Sequence, residues 1–457
     1  MQYDLKYLAV PLPEDVVKLK GYGDMNRLNR VIDKKLAKDI PYALRQRLLL
    51  EKEILALWPK AYPHDQQEAL RQLRACFGPD FTEEELEDLR DDDAVEWAYI
   101  NGEIHYKNNF LYNLIKTRVQ YENRVLPHLR EKYSYKRDHA RMLDEWMEKC
   151  KRETSVRTKI HMRTTMTISP VPGREGQKVY AHLPLPIQYA QIDNVHILSL
   201  SHPEDATVAP PDFPQRTVCF HAVPDKPFSV EYTYESMLWY NKPDPDKVLD
   251  VKIDSEETRE YPPHIVFTPY LRMLCQEIVG DEANPLRKAR KIYDFITTKM
   301  IYSFMRAYMT MPNVPEYGAT SLKADCGVQA LLFITLCRLA GIPARWQAGL
   351  EVSPMDVGCH DWAQFYIAPY GWLFCDPSFG GSAYRMGDLD RWNFYFGNLD
   401  PYRMPAASMY QHDFFVPFKN LRYDPYDNQD GEAEYEDAAV PHQAVDTQHE
   451  VLSFEFI

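Results

Sequence analysis

The chain has 457 residues, of which 45% are hydrophobic and 26% charged, the composition of a globular protein long enough to build its core without disulfide staples. Lys plus Arg number 53 against 67 Asp plus Glu, a net charge of −14, which argues against broad nucleic-acid binding and against adsorption on anionic membranes. At about 150 residues per domain, roughly three domains are expected.

The N-terminus, MQYDLKYLAVPLPEDVVKLKGYG, lacks a basic region followed by an apolar one, so no secretory signal is read there. The longest apolar stretch, Ala330 to Ile342, is broken by Arg338 and is too short to span a bilayer. The eight cysteines are therefore expected as reduced thiols in a cytoplasmic protein. No C-x-x-C pair supports a zinc site, and no metal or cofactor is expected.

Residues 13 to about 152 read as helices, with Leu44, Leu48, Leu55 and Trp58, then Leu111, Leu114 and Ile115, at helical spacing. Thr82 followed by Glu85 is a capping box. Asn101-Gly102, inside YINGEIHY, predicts a small hairpin. From about 155 the texture alternates in RTKIHMRTTMTISPV, GQKVYAHLPLPI, TVCFHAV and FSVEYTYESMLWY, with turn residues between, and predicts an antiparallel sandwich. PDPDKVLDVKIDSEETREYPPHI is expected as a polar linker out of it. Helices then begin at Pro269 and Pro285. RWNFYFGNLDPYRM, 391 to 404, is expected as a further strand and turn. The acidic stretch YDPYDNQDGEAEYEDAAV is read as a solvated surface; Tyr426 stands where a calcium loop would need an acid.

The chemistry concentrates in KADCGVQALLFITLCRLAGIPAR, 323 to 345. Asp325 is a good N-cap, Val328, Leu331, Leu332, Thr335, Leu336 and Leu339 share a helix face, and Gly341 and Pro343 end the helix. Cys326 falls in the first turn, where free N–H groups and the helix dipole favour a thiolate and can hold an oxyanion. Downstream, HDWAQFYIA and GWLFC read as a hairpin that brings His360 and Asp376 to one open end. A carboxylate beside an imidazole fixes its tautomer and stabilises its charged form. Cys326, His360 and Asp376 are thus the expected nucleophile, base and orienting acid. Asp361 is read as solvent-facing, with a site contact as the alternative. Cys337 is read as core, and Cys359 and Cys375 as pointing away from the triad side of their strands.

This set resembles the transglutaminase-like superfamily. The resemblance runs over roughly residues 262 to 400 and rests on GIPAR after a Cys-led helix, H-D-W opening a strand, GWLFCDP closing a hairpin, and NPLRKARKIYDFITTKMIYS before them. It implies a papain-like Cys-His-Asp core with Cys326 as nucleophile, His360 as general base and acid, and Asp376 as orienter. Trp362 matches the aromatic after the histidine and Trp372 the one before the aspartate, and both are expected at the substrate. Ala324, Asp361 and Gln364 depart from the family pattern. The family's upstream oxyanion Trp is missing, which leaves Tyr317 or Asn313 for that place. The leading segments resemble larger bacterial members loosely.

The fold class expected is α+β: a helical domain (1–154), an antiparallel β-sandwich-like domain (155–258), and a papain/transglutaminase-like catalytic domain (259–457) with an acidic tail. The function expected is thiol-dependent acyl transfer or hydrolysis on a peptide or protein amide. Water is favoured as acceptor because the calcium ligands of crosslinking members are not seen. The alternatives are an amine-accepting transglutaminase and a catalytically silent scaffold. A partner protein is expected on the leading domains.

Overall fold

The computed structural model describes residues 4–133, 137–249, 251 and 253–457. The expected linker therefore includes two positions, 250 and 252, outside the described residues.

The leading part is helical. Asp24, Asp65 and Thr82 cap the helices Met25–Leu36, Gln66–Phe77 and Glu83–Asp91 by accepting backbone N–H bonds. Thr82 fulfils only half of its expected capping box. Its hydroxyl accepts from the Glu85 N–H, but the Glu85 carboxylate turns to Tyr121 and Arg124 instead of back to the cap. Asn101 and Gly102, both at positive φ, join the strands Trp97–Ile100 and Glu103–Tyr106 in the expected hairpin.

The middle of the chain forms two packed four-stranded sheets. Ser155–Ile168 alternates in burial along its length, as a strand with one face on a core requires. It pairs with Phe228–Trp239 on one side and with Val445–Phe456 on the other. In the second sheet Glu432–Glu434 pairs with Val179–Pro184, which pairs with Thr217–Ala222. Strands from the end of the chain thus complete both sheets. The acidic stretch before them is correspondingly not a solvated tail. Asp427, Asn428 and Glu434 are buried, and Arg422 reaches Glu432 and the Asp427 carbonyl from within.

The third part is an antiparallel five-stranded sheet in the order Phe396–Gly397, Gly371–Cys375, Val357–Ile367, Ala344–Val352 and Arg403–Ala407. The segment from 391 departs from expectation: it is helical over Leu389–Phe394 before its short strand. One helix, Cys326–Leu339, lies against the sheet, with Phe333 packing edge-on against Phe365. The one-sided face expected of that helix gives way to burial all round, from Gly327 to Cys337. Helices Pro269–Val279, Pro285–Lys299 and Val314–Ser321 enclose it. A continuous core joins this sheet to the sandwich: Leu350, Val352, Met404 and Ala406 pack with Ile160, Met162 and Phe220. Gly349 is required at that seam, because a Cβ there would stand 2.0 Å from the Met404 carbonyl oxygen.

Candidate active site

Cys326 begins the central helix. Asp325 caps it, accepting from the Val328 N–H at 3.1 Å, and its carboxylate also accepts from the Tyr308 hydroxyl at 2.6 Å and the Met305 N–H at 3.3 Å. The preceding bridge pairs Ile301 and Tyr302 with Lys323 and Ala324, so the 301–305 segment runs beside the cysteine.

His360 stands in the strand Val357–Ile367 opposite Gly349, and Asp376 follows the neighbouring strand, whose Cys375 pairs with Ala363. This register closes the expected pair: Nε2 of His360 lies 2.8 Å from Oδ2 of Asp376. Asp376 also caps Pro377–Arg385, accepting from the Phe379 N–H at 2.9 Å. Nη2 of the fully buried Arg403 sits 2.9 Å from the same Oδ2 and 2.6 Å from Asp400. Burial pushes the Asp376 carboxyl up, but the charges of His360 and Arg403 and the bonds from His360 and Phe379 outweigh it and hold the group below the ordinary range. An ionised Asp376 fixes the proton on Nε2 of His360 and leaves Nδ1 as the ring's acceptor. Phe379 packs on the imidazole, ring centroids 4.7 Å apart.

These features match a known family over part of the chain. Residues 272–377 match the model of the transglutaminase-like superfamily. The chain contains a transglutaminase-like domain. An uncharacterized protein of Haemophilus influenzae is 26% identical, over 29% of this chain and 42% of its own length. Among solved structures, a candidate cysteine protease from Cytophaga hutchinsonii is 16% identical, covering 66% of this chain and 90% of its own, with a TM-score of 0.36. The periplasmic domain of TgpA from Pseudomonas aeruginosa is 16% identical, covering 51% of this chain and 92% of its own, with a TM-score of 0.29.

Within the transglutaminase-like domain, the thiol makes a bond the sequence reading did not give it. Sγ of Cys326 lies 3.5 Å from Oδ2 of Asp361 and donates to it. Successive strand residues point to opposite faces. Asp361 shares the helix-facing side with Phe365, whereas His360 lies on the side of Trp362 and Asp376. Asp361 is accordingly 4% exposed, not solvent-facing. The expected thiolate is corrected too. Burial, then the charges of Asp361 and Asp325, push the Cys326 thiol well up, against the pull of the Asp361 N–H. The helix N-terminus does not prevail here, because the thiol is buried and two carboxylates flank it.

Trp362 and Trp372, expected at the substrate, and Tyr317, expected at the oxyanion, each have partners within the fold. Trp362 is completely buried, its indole N–H donating to Gln347 Oε1 at 2.6 Å. Trp372 lies under the Arg345 guanidinium, 3.8 Å from ring centre to carbon. Tyr317, on the helix Val314–Ser321, packs beneath Arg306 and lines a small cleft with Asn113, Met305 and Lys323. Asn313 caps that helix by accepting from the Glu316 N–H, and its Nδ2, the group an oxyanion would need, donates to the His264 carbonyl at 3.1 Å. Cys337 is core, as expected, and Cys375 is buried too, while Cys359 is exposed and bonds to Asp430.

Two further groups escaped the sequence reading. Gln429 donates to Oδ1 of Asp361 at 2.7 Å and to the His360 carbonyl at 3.2 Å, tying the C-terminal segment to the site. Lys116, from the leading helix Phe110–Thr117, lies over the rings of Tyr302 and Phe304. Burial lowers its pKa to about 8, against the charge of a Cys326 thiolate, which holds it up. Neither has a local sequence signal, because both arrive by long-range packing.

Proposed function

We propose that this protein carries out thiol-dependent acyl transfer on peptide or protein amides, with water as the favoured acceptor. The reading is carried by the His360–Asp376 pair, 2.8 Å apart and braced by Arg403, together with a cysteine at the start of the helix packed on the same sheet. His360 takes the thiol proton through Nδ1, and the sulfur attacks the amide carbonyl. The proton then passes to the departing amine, and water releases the acyl group. Free N–H groups at the start of the central helix face the developing oxyanion. Trp362 has no part in this, being buried, whereas Tyr317 borders the cleft beside Met305 and Lys323. All eight cysteines are free, which suits a reducing compartment, and we place the protein in the cytoplasm on that ground. Among the described residues no helix is long and apolar enough to cross a membrane.

A second reading, a silent binding scaffold, is favoured by the closure of the site: Cys326 is 9% exposed, His360 4% and Asp376 0%. One experiment separates the two. Glutamine-containing peptides are incubated with wild type and Cys326→Ala, with and without a primary amine, and products are weighed by mass spectrometry. Hydrolysis or deamidation that Cys326→Ala abolishes supports the favoured reading. Amine adducts replace water by an amine as acceptor. Identical, unchanged peptide in both proteins, together with no acylated Cys326, leaves the scaffold.

A further inference from the structure

We propose that Asp361 is a positioning residue that parks the Cys326 sulfur in a resting orientation, bonded to Oδ2 and turned from His360, and that substrate must break this bond before acylation. The inference rests on the reading of Cys326 as nucleophile and concerns how that site is regulated.

Four observations carry it. The thiol already donates to Asp361 at 3.5 Å. His360 and Asp361 are consecutive and face opposite sides of the strand, so a sulfur turned to one is turned from the other. Asp361 is not a mobile surface acid: it is 4% exposed, and Gln429 holds its other oxygen at 2.7 Å. The residue after the nucleophile is glycine, and a Cβ at Gly327 would stand 2.7 Å from Oδ2 of Asp361 and 2.1 Å from the Tyr308 hydroxyl. The helix is thus cut away where the carboxylate enters.

The charged surroundings act in the same direction. The thiol feels the charges of Asp325, at its own helix start, of Asp361 and, across the strand, of Asp376, with Tyr308 close by and Lys116 from the leading helix as the opposing charge. Asp361 in turn faces Asp325, Asp376, Asp424 and Asp427, and its own carboxyl is raised, first by burial and then by those neighbours. A proton shared along S–H···O is the low-cost arrangement here, since it spares the site a second buried negative charge. Turning the sulfur to His360 moves that proton to a base whose charge Asp376 compensates.

The test measures iodoacetamide labelling of Cys326 against pH, by peptide mapping of the full chain, in wild type, Asp361→Asn, Asp361→Glu and Gln429→Leu. Iodoacetamide reacts with the thiolate, so the inflection reports the thiol. Asp361→Asn is expected to lower the inflection by at least about one pH unit, which is about tenfold faster labelling at pH 7. Asp361→Glu restores the wild-type profile, and Gln429→Leu shifts it part of the way. An inflection that stays or rises in Asp361→Asn overturns the proposal. Should that variant not fold, an unshifted Gln429→Leu does so. A loss of packing alone changes the melting temperature and leaves the inflection in place. Failure of the nucleophile reading shows differently: Cys326→Ala then keeps full amide turnover, whatever the Asp361→Asn profile does.

Discussion

Arg403 holds two carboxylates apart from each other and from solvent. Its Nη2 touches Oδ2 of both Asp376 and Asp400, and all three residues are fully buried. Removing one partner of a buried ionic cluster leaves the others uncompensated, at a cost of about 3–5 kcal/mol. Arg403→Met is therefore expected to lose about that much stability in urea unfolding. Asp376→Asn makes the complementary prediction. It keeps the shape of the site but removes the charged acceptor that fixes the His360 proton on Nε2, so acyl turnover should fall about 100- to 10 000-fold, beside a loss of stability of the same kind, because Asp376 belongs to the same cluster. Steady-state kinetics beside calorimetry check both. The placement of Cys326 at a helix start and of His360 against Asp376 was legible because each is announced locally: a helix start, a strand start, a hairpin end. Asp361 was not, since its exposure depends on which strand face the helix covers. Arg403 was not either, because a buried arginine has no pattern until its two acids are brought to it.

At the scale of elements, the helix Cys326–Leu339 holds the site by being enclosed on every side. Leu331, Leu332 and Leu336 are all 0% exposed. Truncating such a side chain removes its transfer energy and leaves a cavity, together worth about 2–5 kcal/mol. Leu332→Ala should lower the urea midpoint accordingly and, because the helix start carries Cys326, reduce Cys326 labelling selectivity as well. The acidic segment before the last strands gives a prediction of opposite character. Burial, then neighbouring carboxylates, raise Asp424 and Asp427. A carboxyl raised on folding binds its proton more tightly in the folded state. Its stabilisation is therefore present at low pH and is lost as pH climbs from the unfolded value, near 3.9, through the raised folded one. Amide exchange across 424–432, corrected for intrinsic rates, should be slower at pH 5.5 than at pH 7.5. Asp427→Asn should flatten that difference. The sequence reading took this stretch for a wet surface because charge counts carry no information on long-range cover; Arg422 and the sheet edge at Val179–Pro184 supply it.

For the whole molecule, two interior histidines oppose that trend in acid. His182 and His264 are 0% exposed, and burial lowers each to a pKa of about 3. His264 accepts from the Val314 N–H on Nδ1 and bonds Tyr426 through Nε2, so the neutral ring alone satisfies both contacts. A histidine lowered on folding is protonated first in the unfolded chain. Stability is whole above the unfolded value, about 6.5, and is lost as pH falls toward 3, by about 2–3 kcal/mol per ring at pH 4.5. His264→Gln is expected to have a smaller drop in urea midpoint between pH 7 and pH 4.5 than wild type.

The strand Val445–Phe456 pairs with Ser155–Ile168 from Thr158 to Ile168, and the transglutaminase-like domain is spelled out between them. During synthesis the first of these strands leaves the ribosome with one edge bare and waits while the entire core is translated before its neighbour arrives. The helix start with Cys326 is therefore made before the stretch that brings Gln429 to its neighbour Asp361.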